Sequence, residues 1–224
     1  KSGCAAPKAS AMASFSSRGP NKADSHVMKP DITAPGVDVI ASVSMIQATQ
    51  AEHDAILAGT LSPAPVVESY QGTSMSSPHV AGAAALIKQA HPKWTPAMIK
   101  SAMMTTATPV KLTTGALDAN LYGYGAGHLN PNGANDPGLV YDADTADYVR
   151  FLCGAQWASL ASPACQYYGS INPNDLNQPS FAVDVPGSVT VTRRVTNVGK
   201  ETSRYTASAN LPGFSTVISP ASLK

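Results

Sequence analysis

Charge is scarce in this chain: Lys, Arg, Asp and Glu together make up 13% of 224 residues and balance to a net +1. So weak a field offers no electrostatic case for nucleic acid or an anionic membrane surface as partner. No apolar run approaches the roughly 20 residues that a membrane-crossing helix needs. Asn-x-Ser/Thr never occurs, which removes N-glycosylation from consideration. No carboxylate cluster has cation-ligand spacing, so no metal is assigned, and no other cofactor is expected. Cysteines number three, at Cys4, Cys153 and Cys165. The last two bracket a loop with Gly154 and Pro163, where a local disulfide suits an oxidising compartment and two unpaired thiols suit a reducing one. If that pair forms, Cys4 has no partner within the chain. Against these shortages, 43% of the residues are apolar, enough to bury a sizeable core in one large domain and part of another. Lys1 is not a start residue and no signal peptide precedes it, so a processed or excised piece of a longer chain is expected.

The most informative stretch is Gly72-Thr73-Ser74-Met75-Ser76-Ser77-Pro78-His79-Val80-Ala81-Gly82. One serine stands on small-residue punctuation ahead of Val80–Ile87, a run apolar almost all the way round, which predicts a helix enclosed on every side. Ser74 then sits where unpaired backbone N–H groups and the helix dipole favour the negative charge that develops on a carbonyl oxygen under attack. The bland alternative is a serine that merely caps the helix. A nucleophile elbow of the Gly-x-Ser-x-Gly type does not fit, because Ser76 stands where the second glycine belongs.

These eleven residues resemble the nucleophile motif of the subtilisin-like serine proteases at nearly every position. Two further stretches resemble the same family in the same order: Phe15-Ser16-Ser17-Arg18-Gly19-Pro20, and Lys29-Pro30-Asp31-Ile32-Thr33-Ala34-Pro35-Gly36. After the nucleophile helix, Trp94-Thr95-Pro96 resembles the start of the family's next helix. Tyr124–Pro131 resembles its closing glycine-rich segment. Asp136-Pro137-Gly138-Leu139-Val140-Tyr141-Asp142 and Asp147-Tyr148-Val149-Arg150-Phe151-Leu152-Cys153 are similar to its plant-type branch, the latter on a short helix.

The resemblance implies an α/β fold: the C-terminal part of a three-layer parallel-sheet domain over residues 1–150, then a connecting segment over 151–175. An incomplete fibronectin-III-like β-sandwich over 176–224 follows. It implies a secreted serine endopeptidase acting on polypeptides through an acyl-enzyme on Ser74. The family's catalytic Asp and His, and the Asn that completes its oxyanion hole, belong upstream of Lys1, so the N-terminal part of the same protease is the expected partner. The chain alone should hydrolyse nothing at a useful rate. A catalytically inactive relative serving as a binding or structural module is the alternative.

Histidine cannot complete the site from within by any spacing visible here. His79 lies five residues after Ser74, which at about 100° per residue puts the two side chains roughly 140° apart around the axis. It reads as a structural histidine. His26, His53, His91 and His128 fall in polar or turn-rich stretches, with no carboxylate that spacing places beside them. Asn21 does not sit in the motif of the oxyanion asparagine.

Local signals set the remaining expectations. Ala13–Pro20 reads as a short strand and Val37–Val43 as the apolar run after a turn. Met45–Pro65 reads as a surface insertion with a helical turn at Gln50–Leu57, either contributing to a substrate cleft or forming a mere surface excursion. Thr95 is a natural N-cap with Pro96 at the first helical position, and Ile99, Ala102, Met103 and Thr106 share one face. From Leu176 the apolar period becomes alternating through Phe181, Val183, Val185, Val189, Val191 and Val195, then Tyr205, Ala207 and Ala209. That pattern predicts sandwich strands, with Arg193-Arg194 as a solvated strand face. A seven-stranded sandwich takes about 100 residues, roughly twice what remains.

Overall fold

A computed structural model describes residues 11–43, 49–62, 66–184 and 187–224. Cys4, the ends of the Met45–Pro65 insertion and Val185 lie outside the described residues. In chain order the elements are β1 (Val39–Val43), α1 (Gln50–Leu57), β2 (Val66–Tyr70), α2 (Thr73–Ala90), α3 (Pro96–Thr105), α4 (Leu121–Tyr124), α5 (Pro131–Ala134), β3 (Leu139–Val140), α6 (Thr145–Gly154), α7 (Pro163–Tyr168), β4 (Thr196–Asn197), β5 (Tyr205–Thr206) and β6 (Ser222–Leu223).

The core forms where α2 and α3 meet α5 and β3. Ala83 and Ile87 of α2 pack with Trp94, with Ile99, Ala102 and Met103 of α3, and with Ala134 and Val140. α3 starts as its sequence dictates: Thr95 Oγ1 accepts the Met98 N–H at 3.1 Å and Pro96 fills a position that needs no donor. Met103 and Met104 are both buried, as core filler. Ser101 is fully buried, and its hydroxyl accepts the Tyr141 N–H at 2.8 Å, which fixes the chain just after β3 against α3. The glycine-rich segment closes tightly. Gly125, at φ 64°, leaves no room for a Cβ against the Pro30 and Asp31 carbonyls. On either side of it, Gly19 donates to the Tyr122 carbonyl at 2.9 Å and Thr33 to the Gly127 carbonyl at 2.9 Å.

Helix α2 departs from its expectation. Ala83 and Ile87 are buried, yet Ala81, Gly82 and Ala85 are exposed and Leu86 is 64% exposed. An apolar circumference marks a helix for enclosure, but enclosure needs neighbours on every side, and the described residues supply them on one. The sheets differ likewise from the expected parallel layer. Among the described residues the three pairings are two-stranded and antiparallel, β1 with β2, β3 with β4 and β5 with β6, and the parallel contact is an isolated bridge between Thr33 and His128. Ala13–Pro20 is a turn followed by irregular chain rather than a strand, because its backbone bonds locally, Ser16 N–H to the Ala13 carbonyl at 3.1 Å, instead of along a ladder.

The C-terminal segment shows two-residue ladders in place of long sandwich strands. Phe181 and Val189 stay exposed, since among the described residues no second sheet covers them. Of the expected solvated pair, Arg194 is exposed but Arg193 is not. Arg193 donates to the carbonyls of Gln178, Asn174 and Ser180 and lies 4.4 Å over the Phe181 ring, and burial pulls its pKa down. Arg194 pairs with Asp147. Cys153 and Cys165 form a disulfide that joins α6 to α7 at a Cα separation of 5.7 Å.

Candidate active site

The backbone around Ser74 is organised before its side chain is considered. Gly72 precedes α2 with φ 151° and ψ 165°, a region that a residue with a Cβ rarely enters. Its N–H donates to the Gly36 carbonyl at 2.8 Å, and its own carbonyl accepts the Met75 N–H at 3.0 Å, closing the first turn. Gly36 has no space for a side chain: a Cβ there would overlap Ser76 Oγ and lie 2.9 Å from the Gly72 carbonyl oxygen. The Pro35-Gly36 turn is thus seated directly behind the turn that carries Ser74.

Ser74 is the second residue of α2 and is exposed. Gly72 occupies the cap position, so the serine is not the helix cap and its side chain closes no capping bond. Among the described residues neither its hydroxyl nor its amide N–H has a hydrogen-bond partner. Both face the end of an 18-residue helix where the dipole is positive. Pro78 lies four residues on and carries no N–H, so the Ser74 carbonyl is also outside the helical ladder. An apolar cavity of about 740 Å³ opens beside this turn, lined by Phe15, Ile32, Val37, Thr73, Ser76, Val80 and His128 among others. Ser74 is not in its wall.

No histidine among the described residues bonds to Ser74. His79 Nδ1 donates to the Met75 carbonyl at 2.8 Å on its own helix, the arrangement of a structural residue. His91 stacks on Trp94 at 3.9 Å between ring centres, and its Nε2 donates to the Asn135 carbonyl at 2.9 Å. His128 bridges Thr33 and Thr108 by its backbone, and burial lowers its pKa. Asn21 Oδ1 accepts the Ala23 N–H at 3.1 Å in a local turn.

Two pairings went unseen in the sequence. His26 Nδ1 donates to Asp24 Oδ1 at 2.8 Å, so one histidine does have an orienting carboxylate. The signal was available: Asp followed by His two residues on is the spacing of an Asx turn, and the same Oδ1 accepts the His26 N–H at 2.9 Å. Asp31, within the Lys-Pro-Asp-Ile stretch, lies 2.5 Å from Lys29 Nζ and 2.8 Å from Lys100 Nζ of α3. Burial pushes its carboxyl up, but the two ammonium groups outweigh this and hold it below the ordinary value. No helix among the described residues is long and apolar enough to cross a membrane.

The family model for the subtilase family matches residues 3–127, and that for a fibronectin type-III domain matches residues 175–224. A subtilisin-like protease of Arabidopsis thaliana, SBT4.13, is 42% identical over 209 residues, covering 88% of this chain and 27% of that protein. A second from Glycine max, Glyma18g48580, is 42% identical over 230 residues, covering 95% of this chain and 28% of that protein. Fervidolysin from Fervidobacterium pennivorans, a keratinolytic enzyme related to subtilisin, aligns with 45% of this chain and 14% of its own at a TM-score of 0.33 and 24% identity, an overlap on which nothing is built. The chain spans about 27–28% of the length of the curated relatives named here.

Proposed function

The chain belongs to the subtilase family, and on that premise we propose that Ser74 is the nucleophile of a serine endopeptidase acting on polypeptides. The observation that carries the reading is a serine exposed at the start of an 18-residue helix with its hydroxyl and its amide both unengaged among the described residues. Ser74 Oγ attacks the scissile carbonyl carbon while a histidine takes its proton. The tetrahedral oxyanion is held by the Ser74 N–H together with an asparagine side chain. Collapse releases the amine with that proton and leaves an acyl-enzyme, which water then hydrolyses.

The histidine, its aspartate and the asparagine come from polypeptide outside these 224 residues. Two facts support this: the chain covers 27% of a relative's length, and the rings of His26, His79 and His91 are engaged by Asp24, Met75 and Asn135. The same polypeptide supplies the strands that complete a three-layer parallel-sheet domain and cover the bare flank of α2. Residues 1–150 form the C-terminal part of that domain, 151–175 connect, and 176–224 begin the β-sandwich, a division supported by the matches at 3–127 and 175–224. The Cys153–Cys165 disulfide supports an oxidising, secreted setting.

Ser74→Ala in the intact protein tests the assignment. Proteolysis should fall to background with the fold retained, and an active-site-directed fluorophosphonate should no longer label the protein. Retained proteolysis overturns the reading, and an intact parent that neither cleaves nor labels turns it to the inactive binding module.

A further inference from the structure

We propose that Gly36 is a positioning residue for the nucleophile turn, acting through the Gly72 backbone and the Ser76 side chain on the rate of acylation. The proposal rests on the reading of Ser74 as nucleophile. Two contacts converge on this one residue. Its carbonyl accepts the Gly72 N–H at 2.8 Å, and the space where its own side chain would stand is filled by Ser76 Oγ and the Gly72 carbonyl oxygen. Gly72 and Ser76 are the residues two before and two after Ser74. The nucleophile is therefore held from both sides by a single point on another segment of the chain.

Physical need for such a hold is visible in the turn itself. Gly72 takes a backbone conformation open to glycine and to few other residues, and the same lack of a side chain leaves its dihedrals to be fixed by contacts from elsewhere. Pro78 withholds the N–H that would otherwise tie the Ser74 carbonyl into the helix. The Ser74 hydroxyl and amide have no hydrogen-bond partner among the described residues. What remains to locate the serine is the closure of the first turn and the seat on Gly36. Pro35, with its fixed φ, holds that seat rigid.

Because misplacement of a reacting group by about 1 Å can cost on the order of 100-fold in rate, a Cβ at this seat should slow acylation without altering substrate affinity. The experiment is Gly36→Ala in the intact protein, read by fluorophosphonate labelling of Ser74, by kcat and KM on a peptide substrate, and by thermal melting. The expected result is a labelling rate and kcat roughly 10- to 100-fold lower with KM nearly unchanged. Adding Ser76→Gly should recover part of the loss, since it removes the hydroxyl the new methyl strikes. If Gly36→Ala acted by general destabilisation, a glycine placed in the helix would deepen the defect. Parental labelling by Gly36→Ala, a raised KM with unchanged kcat, or a deeper defect in the double variant each overturns the proposal.

Should Gly36→Ala fail to accumulate folded, Pro35→Ala decides. It introduces no overlap, loosens the same seat, and should slow labelling several-fold, while a parental rate overturns the proposal. Ser74→Ala, run alongside, separates the two readings: if it still cleaves and labels, the nucleophile assignment has failed, whereas a dead Ser74→Ala beside a fully active Gly36→Ala removes only the role of Gly36.

Discussion

Arg194 reaches back across the junction of the two segments and places its Nη2 2.7 Å from Oδ2 of Asp147 on α6. Asp147 is itself nearly buried, closes the capping box with Asp144, and also faces Arg150 at 3.6 Å. Asn177 braces the same junction, donating to the Asp142 carbonyl at 2.7 Å and accepting the Arg194 N–H at 2.8 Å.

Removing the two ends of this pair should have unequal effects. Arg194 is mostly exposed, so Arg194→Gln should cost about 1 kcal/mol or less, as for other solvated ion pairs. Asp147→Ala also takes away the acceptor of the Asp144 N–H in the capping box and should cost about 1–3 kcal/mol. Urea unfolding of the intact protein, followed on both single variants and the double, measures this. Equal losses would show that the cap contributes nothing beyond the pair.

Stability should fall with acid in two steps. His128 has a depressed pKa in the folded state through burial, so the unfolded chain binds the proton more readily. Its contribution is complete above the ordinary value of 6.5 and declines as pH drops below it. Asp31 is also depressed: burial raises it, but Lys100 and Lys29 lower it further, and its contribution fades below about 3.8 as the carboxylate protonates. Melting temperature against pH for His128→Asn should be flatter between pH 7 and 5 than for the parent, and Asp31→Asn should flatten the more acidic limb. Unchanged slopes would assign the acid sensitivity elsewhere.

The insertion should prove dispensable for selectivity. Val39 pairs with Tyr70 and Val43 with Val66, so the connection that carries α1 leaves from the end of the hairpin farthest from Gly72. At about 3.4 Å per residue the four steps of β2 separate those ends by roughly 14 Å. Deleting 47–61 from the intact protein, with a short glycine linker, should leave the ranking of peptide substrates unaltered. A changed ranking would make the insertion part of the cleft.

Legibility in the sequence followed the range of the interactions. α1, α3 and α6 are written in local terms, a capping residue followed by a periodic run, and Thr49, Thr95 and Asp144 each cap the helix they precede. The glycine-rich closing segment was equally readable, because a residue without a side chain announces close backbone approach. Contacts between distant segments were not. Nothing in Arg193-Arg194 as a dipeptide says that one guanidinium will collect carbonyls and the other an aspartate 47 residues away. The apolar run of α2 announces burial without naming the partner, so the expected enclosure and the observed bare flank arise from one pattern. At the candidate site, the motif pointed to Ser74, while the seat on Gly36 needed coordinates, since Gly36 and Ser76 meet only in space.

That bare flank also dictates how the molecule has to be handled. Leu86, with the small residues beside it, offers water an apolar strip on a helix that carries the site. A preparation with nothing on that strip is driven to self-association, because contiguous apolar surface seeks cover wherever it finds it. Residues 1–224 produced by themselves should therefore self-associate as concentration rises, and polypeptide laid over α2 should suppress it.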